Sequence, residues 1–286
     1  MKRPSTLPPR LITPDSPDVP PEFAVIEGDD AFDACDQARD AFLDPSVRMV
    51  VWHDAAFLPP YKNDTEPSAA AKAAVSALTA RVQGAFKVKN NLGPPRWSIF
   101  RPEDDFLELG LRDQFNEIGE ITKASNAEVK DWRDATQFLA EVMEDSFETC
   151  KLKLRTHFQN VANNQGEVRT DIRLRSNTLR AFRVLEGDPV RFYSSDDVAK
   201  RLYHKGISSV LLKENAQPWV INNYDVAFIS QNTVYEQPSR ASGSDPAQRR
   251  VIEIYDMKAG QEFITNAERP FFRKLFRRPG LDYYDM

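Results

Sequence analysis

The stretch that decides the fold lies between Cys150 and Glu186: CKLKLRTHF at 150–158, EVRTDIRLR at 167–175 and TLRAFRVLE at 178–186. In all three, Lys and Arg alternate with apolar residues. That is a period near 2, which a strand sorts onto two faces and a helix would scatter around its circumference. They read as strands. Toward the C-terminus ISSVLLK (207–213), DVAFIS (225–230) and RRVIEIYDM (249–257) continue the pattern, separated by the turn-rich stretches NAQP, INNYD and SRASGSDPAQ. One short helix is predicted among them over Ser195–His204, with a Ser cap, acids in its first turn and Gly206 placed to end it.

Toward the N-terminus the period lengthens. FAVI (23–26) and RMVVW (48–52) read as short strands on either side of a helix that begins at Asp29 or Asp30 and turns Phe32, Cys35, Ala38 and Phe42 to one side. The Ala-rich stretch Pro67–Phe86 predicts a helix with Val75, Leu78 and Val82 on one face. Ser125–Cys150 predicts another, with Val129, Trp132, Thr136, Leu139, Met143 and Phe147 as its apolar stripe. Both are expected to pack on a sheet and do no chemistry. Helices first and strands after them point to an α+β chain, an antiparallel sandwich or jelly roll buttressed by N-terminal helices, and not to alternating βαβ units.

Composition removes several functions. The 286 residues carry 38 Lys plus Arg against 43 Asp plus Glu, a net charge of −5 that argues against a general polyanion binder, so nucleic acid is not an expected partner. No apolar run approaches the roughly 20 residues of a membrane span. Two cysteines without a CxxC or CxxH neighbour, Cys35 and Cys150, give neither a zinc ribbon nor a disulfide framework. The N-terminal segment lacks the apolar core of a secretory signal, and the expected location is cytoplasmic. GxGxxG, GxxxxGK[ST], HExxH and GxSxG are all absent, and the three histidines, His53, His157 and His204, sit on distant elements.

Arg169-Thr170-Asp171 on a predicted strand, then NTVYEQPSR (232–240), then Arg249-Arg250 form a spaced constellation. In this order the chain resembles the double-stranded β-helix, the cupin-like fold of the iron and 2-oxoglutarate dependent oxygenases, over about residues 150–257. That resemblance implies a His-x-Asp on one strand, a second His on a later strand and an Arg on the next for the cosubstrate carboxylate. Here Asp171 matches the metal-binding acid, but Arg169 stands where the first His belongs, and Tyr235 or Glu236 where the second does. Arg249 or Arg250, about fourteen residues after Glu236, stands at the Arg position. Imidazole donates a lone pair to Fe(II), whereas guanidinium is a permanent cation without one. Arg169 is therefore expected to pair with Asp171 or Glu236, leaving a pocket without its metal chemistry. The plainer alternative has Arg169 and Asp171 as solvent-facing residues of an ordinary strand.

The expectations are then these. Residues 1–22, rich in Pro, form a disordered arm; 23–261 form one oxygenase-like jelly-roll domain; 262–286, with Arg273 and Lys274 among Phe271, Phe272 and Phe276, form a basic amphipathic helix and tail. The protein acts by binding a small molecule or partner through Arg169, Asp171, Tyr235, Glu236, Arg249 and Arg250, with no metal, no cofactor and no assignable catalytic residue. One alternative is an active oxygenase with Fe(II) and 2-oxoglutarate, using Asp171, Glu236 and one histidine. Another is an interaction protein that works through the basic C-terminal helix, offered to an acidic partner, and the Pro-rich arm; the plainer reading docks that helix onto the domain through its Phe side chains, with the acidic stretch Glu103–Glu120 as a candidate surface.

Overall fold

The computed structural model describes residues 7–28, 30–53, 55, 73–78, 80–81, 96–100, 106–148, 151–160, 167–170, 178–204, 207–237 and 249–258. Asp171 and the C-terminal segment 262–286 lie outside them, as does most of the Ala-rich stretch, of which residues 73–78 and 80–81 are helical.

Among the described residues, fourteen strands form two seven-stranded sheets. The major sheet runs β2 (Phe23–Glu27), β3 (Met49–His53), β12 (Val226–Ile229), β7 (Thr178–Gly187), β14 (Arg249–Lys258), β5 (Lys151–Asn160), β4 (Arg96–Phe100). The minor sheet runs β1 (Arg10–Leu11), β11 (Trp219–Val220), β8 (Phe192–Tyr193), β13 (Val234–Gln237), β6 (Glu167–Thr170), β10 (Ile207–Leu212), β9 (Val198–His204). Of the eight strands at their centres, β5, β7, β12 and β14 lie in one sheet and β6, β8, β11 and β13 in the other, and the chain crosses between the sheets at every step among them except from β8 to β11. That is the winding of a double-stranded β-helix, the jelly roll that the sequence led one to expect.

The major sheet is covered on both faces, which is why β3 and β12 are buried throughout and read as unbroken apolar runs. Its outer face carries Val50, Trp52, Phe228, Ala181 and Tyr255 against helices α1 (Ala31–Ala41), α2 (Phe106–Thr122) and α3 (Asn126–Ser146). Its inner face carries Met49, Val51, Phe182, Val184, Ile252 and Ile254 against Phe192, Trp219 and Tyr235 of the minor sheet. Asp30 caps α1, accepting from the Phe32 N–H at 2.8 Å. The α3 stripe predicted from sequence is buried at Val129, Trp132, Thr136, Leu139, Met143 and Phe147. Beneath it Glu253, fully buried, accepts from Trp132 Nε1 (2.8 Å), Thr136 Oγ1 (2.8 Å), Arg183 Nε (2.8 Å) and Tyr255 OH (2.7 Å). Burial alone would push the Arg183 guanidinium down, but the adjoining carboxylate outweighs it and holds it up.

Four expectations change. Ser194 does cap a helical turn, but only the 3-10 turn Ser195–Asp197; Val198–His204 then extends as β9, paired with β10 from His204↔Ile207 onward. A sheet edge was available to those residues, and tertiary pairing overrode a weak local preference. The acidic stretch at 103–120 is largely α2, burying Leu111, Phe115 and Ile118 at helical spacing. Strands β2 and β3 are parallel, with α1 as the crossover, so one βαβ unit does occur at the edge of the major sheet. The Pro-rich segment is docked from Leu7: β1 pairs with β11, Ile12 is fully buried, and the Ile12 N–H donates to Val220 O at 2.8 Å.

Candidate functional site

The register of the minor sheet places Arg169 directly opposite Tyr235, with Thr170 opposite Val234 and Val168 opposite Glu236. Because neighbours along a strand face opposite ways, Tyr235 enters the space between the sheets beside Phe182, at 5.5 Å between ring centroids, while Val234 packs outside with Val168 and Tyr193. The Arg169 guanidinium lies 5.9 Å from the Tyr235 ring centroid, and its Nε is buried without a hydrogen-bond partner among the described residues.

Facing them from the major sheet are side chains that follow from the same period of 2. Arg180 on β7 donates through Nη1 to the Tyr235 hydroxyl (3.3 Å) and through Nε to Asp256 Oδ1 (2.5 Å). Arg155 on β5 donates through Nη2 to the other Asp256 oxygen. Lys153, next inward on β5, is held below its ordinary pKa first by burial and then by Arg155, with Arg180 adding to it and Asp256 opposing. Three guanidiniums from three strands thus gather around one phenol and one carboxylate.

Glu236 takes no part in this. It faces outward, accepting from Tyr193 OH at 3.2 Å, with Arg191 Nη1 3.8 Å from the same oxygen. Burial first and Glu236 second push the Tyr193 phenol well up, so it stays a donor. Arg250 is buried and pulled down to about 10 by that burial, against the opposing charges of Asp188 and Glu236; at neutral pH it remains a cation. Of the six residues singled out in the sequence, the fold therefore pairs Arg169 with Tyr235 between the sheets and sets Arg250 in the field of Glu236. The expected pairing of Arg169 with Glu236 is corrected, because the two residues face opposite sides of the minor sheet. The backbone of Arg249 pairs with Asn160, while its side chain and Asp171 lie outside the described residues.

Arg155, Arg180, Lys153 and Asp256 were missed in the sequence. Their alternation was visible, but it gave two faces without saying which one meets water. His53, on β3, lies 3.2 Å from Asp225, and the side chains of His157 and His204 lie outside the described residues.

Fold and strand order define the class as a double-stranded β-helix jelly roll. No protein-family model matches the chain, and no curated protein does. Among solved structures it is similar to the dioxygenase for auxin oxidation 1 of Arabidopsis thaliana in its 2-oxoglutarate binary complex (9% identity, 83% of this chain and 92% of that one, TM-score 0.38). It is also similar to a full-length protein of Neurospora crassa in complex with alpha-KG (12%, 82% and 84%, TM-score 0.39). A third is an oxidoreductase of the 2OG-Fe(II) oxygenase family from Burkholderia pseudomallei (13%, 82% and 95%, TM-score 0.32). The first two of these proteins hold 2-oxoglutarate and the third is named for Fe(II) and 2OG, a finding that overturns the expectation of no cofactor. No helix among the described residues is long and apolar enough to cross a membrane.

The side chains between the sheets fit those two groups unequally. A guanidinium carries five donors and no lone pair, and here it lies against the tyrosine that stands across the ladder, so Arg169 and Tyr235 do not make an iron face. The same guanidiniums suit carboxylate or phosphate oxygens, which they grip with paired N–H donors.

Proposed function

We propose that this chain is an oxygenase-like jelly roll whose iron-ligating face has been rebuilt as a cationic one, and that it acts by binding a small anionic molecule between its sheets. Arg169, Tyr235 and Asp171 belong to that site, and Arg155 and Arg180 complete it from the opposite sheet. Arg249 and Arg250 are assigned to the rim of that site, and Glu236, on the other face of β13, acts on it only through its charge on Arg250. The observation that carries the reading is the placement of Arg169 directly across from Tyr235, since a fixed cation at that point repels a divalent metal and attracts an anion. Carboxylate and phosphate oxygens are both acceptors that such a face attracts.

Metal titration of the full chain tests it. Under anaerobic conditions the wild-type protein should take up no stoichiometric Co(II), whereas Arg169→His with Tyr235→His should gain saturable binding with the visible absorption of ligated Co(II). One equivalent of tightly held Co(II) on the wild-type chain, removed by a chelator, would overturn the proposal and restore the active oxygenase in its place.

A further inference from the structure

We propose that Arg155, Arg169 and Arg180 form a site for a phosphate-type dianion, so that the ligand of this interior is a small phosphorylated molecule. The inference rests on the reading above and adds the ligand's chemical class.

Convergence comes first. Arg180 reaches both the Tyr235 hydroxyl and Asp256, Arg155 reaches the second oxygen of the same Asp256, and Arg169 lies over the ring of the same Tyr235. The three cations are thus linked through one shared carboxylate and one shared phenol, with Arg180 bonded to both. A linear dicarboxylate spreads its two charges over the length of its carbon chain and calls for two separated cationic subsites. A phosphate concentrates the same charge on one centre with oxygens in several directions, which matches donors arriving from β5, β6 and β7. Guanidinium forks are the side chains whose planar paired donors match such oxygens.

Charge and access agree. Asp256 is one carboxylate shared by two guanidiniums, and Lys153 lies close enough to feel Arg155 and Arg180 as repulsive neighbours. The buried Nε of Arg169, without a hydrogen-bond partner among the described residues, is a donor that an arriving oxygen would satisfy. Arg155 and Asp256 keep 20% and 19% of their side-chain surface exposed and Arg169 is half-buried, so solute can reach the cluster without unfolding it. A purely structural ion network would draw no advantage from that exposure, because water screens it.

Titration calorimetry on the full chain, with inorganic phosphate as the probe and chloride at matched ionic strength as the reference, decides the matter; 2-oxoglutarate and sulfate are run as further arms. Saturable 1:1 phosphate binding is expected, weakened roughly tenfold or more in Arg169→Gln, the size of a lost charge-assisted bond. If that variant does not fold, Arg169→Lys keeps the charge without the fork and should bind roughly three- to tenfold more weakly. No saturable phosphate binding, or wild-type affinity in whichever variant folds, overturns the proposal. Binding of 2-oxoglutarate without phosphate overturns the phosphate class and leaves the anion-binding reading standing. Co(II) binding to the wild-type chain would sink that earlier reading itself.

Discussion

Glu22 shows how one side chain can fasten a connection that carries no regular structure. A single carboxylate oxygen, Oε1, accepts from Ser194 Oγ (2.9 Å), Ser195 Oγ (2.8 Å) and the Ser195 backbone N–H (2.7 Å), just where the chain turns into β9. Burial pushes this carboxyl up, but the hydrogen bonds from Ser195 and Ser194 outweigh it and hold it below its usual 4.5. A carboxylate whose pKa is depressed by folding contributes its stability above the unfolded value and loses it as pH falls through the folded one. Glu22→Gln should therefore melt below wild type at neutral pH, and the gap should narrow steadily as the pH drops below 4.5. Thermal melts across pH 2–7 would check this, and a gap that is constant with pH would show that Glu22 acts without its charge.

Among the elements, the docked N-terminal strap makes the sharpest case. Its proline content argues against long regular elements, and β1 is two residues long. What composition could not convey is that a two-residue strand is enough to seat Ile12 with no exposed surface in the core between the sheets, alongside Trp219 and Ile221. Arg10 adds a cation over the Trp219 ring at 5.5 Å. Ile12→Ala should destabilise the fold by about 2–5 kcal/mol, as expected for truncating a fully buried aliphatic side chain. Removing the strap through Ile12 should lower the melting temperature at least as much, and an unchanged melt in either case would mean that the strap rests on the body without supporting it. The other elements were legible according to how much local signal they carried. The six-residue stripe of α3 could be read directly, whereas α2 was hidden because its acids suggested a docking surface and distracted from Leu111, Phe115 and Ile118. In β9 a good Ser cap and two first-turn acids described a helix start that lasts only one turn.

For the whole molecule, the layer order explains both what the sequence disclosed of the site and what it withheld. Period-2 alternation assigns residues to two faces, and in a two-layer sandwich one face would be wet. Here helices cover one face of the major sheet and the minor sheet covers the other, so Arg180 and Arg183, three residues apart on β7, are both buried but in different cores. Arg180 joins the interior cluster, and Arg183 closes the ion pair under α3. Only the strand order could separate those roles. The shared sheet also predicts how the molecule unfolds. Peeling α3 away would strip Trp132 and Thr136 from Glu253 and wet an ion pair whose side chains are 2% and 0% exposed, along with one whole face of β3, β12, β7 and β14. Losing part of such a network costs about 3–5 kcal/mol, and the bared apolar face adds to it, so the helix layer has no cheap way to leave first. In native-state hydrogen exchange under low guanidinium, the slowest amides of α3 and those of β7 and β13 should converge on one opening free energy with one denaturant dependence. If α3 instead opens at a clearly lower free energy while β7 and β13 stay protected, the helices are a separable coat, and the buried Arg183–Glu253 pair serves the sheet alone.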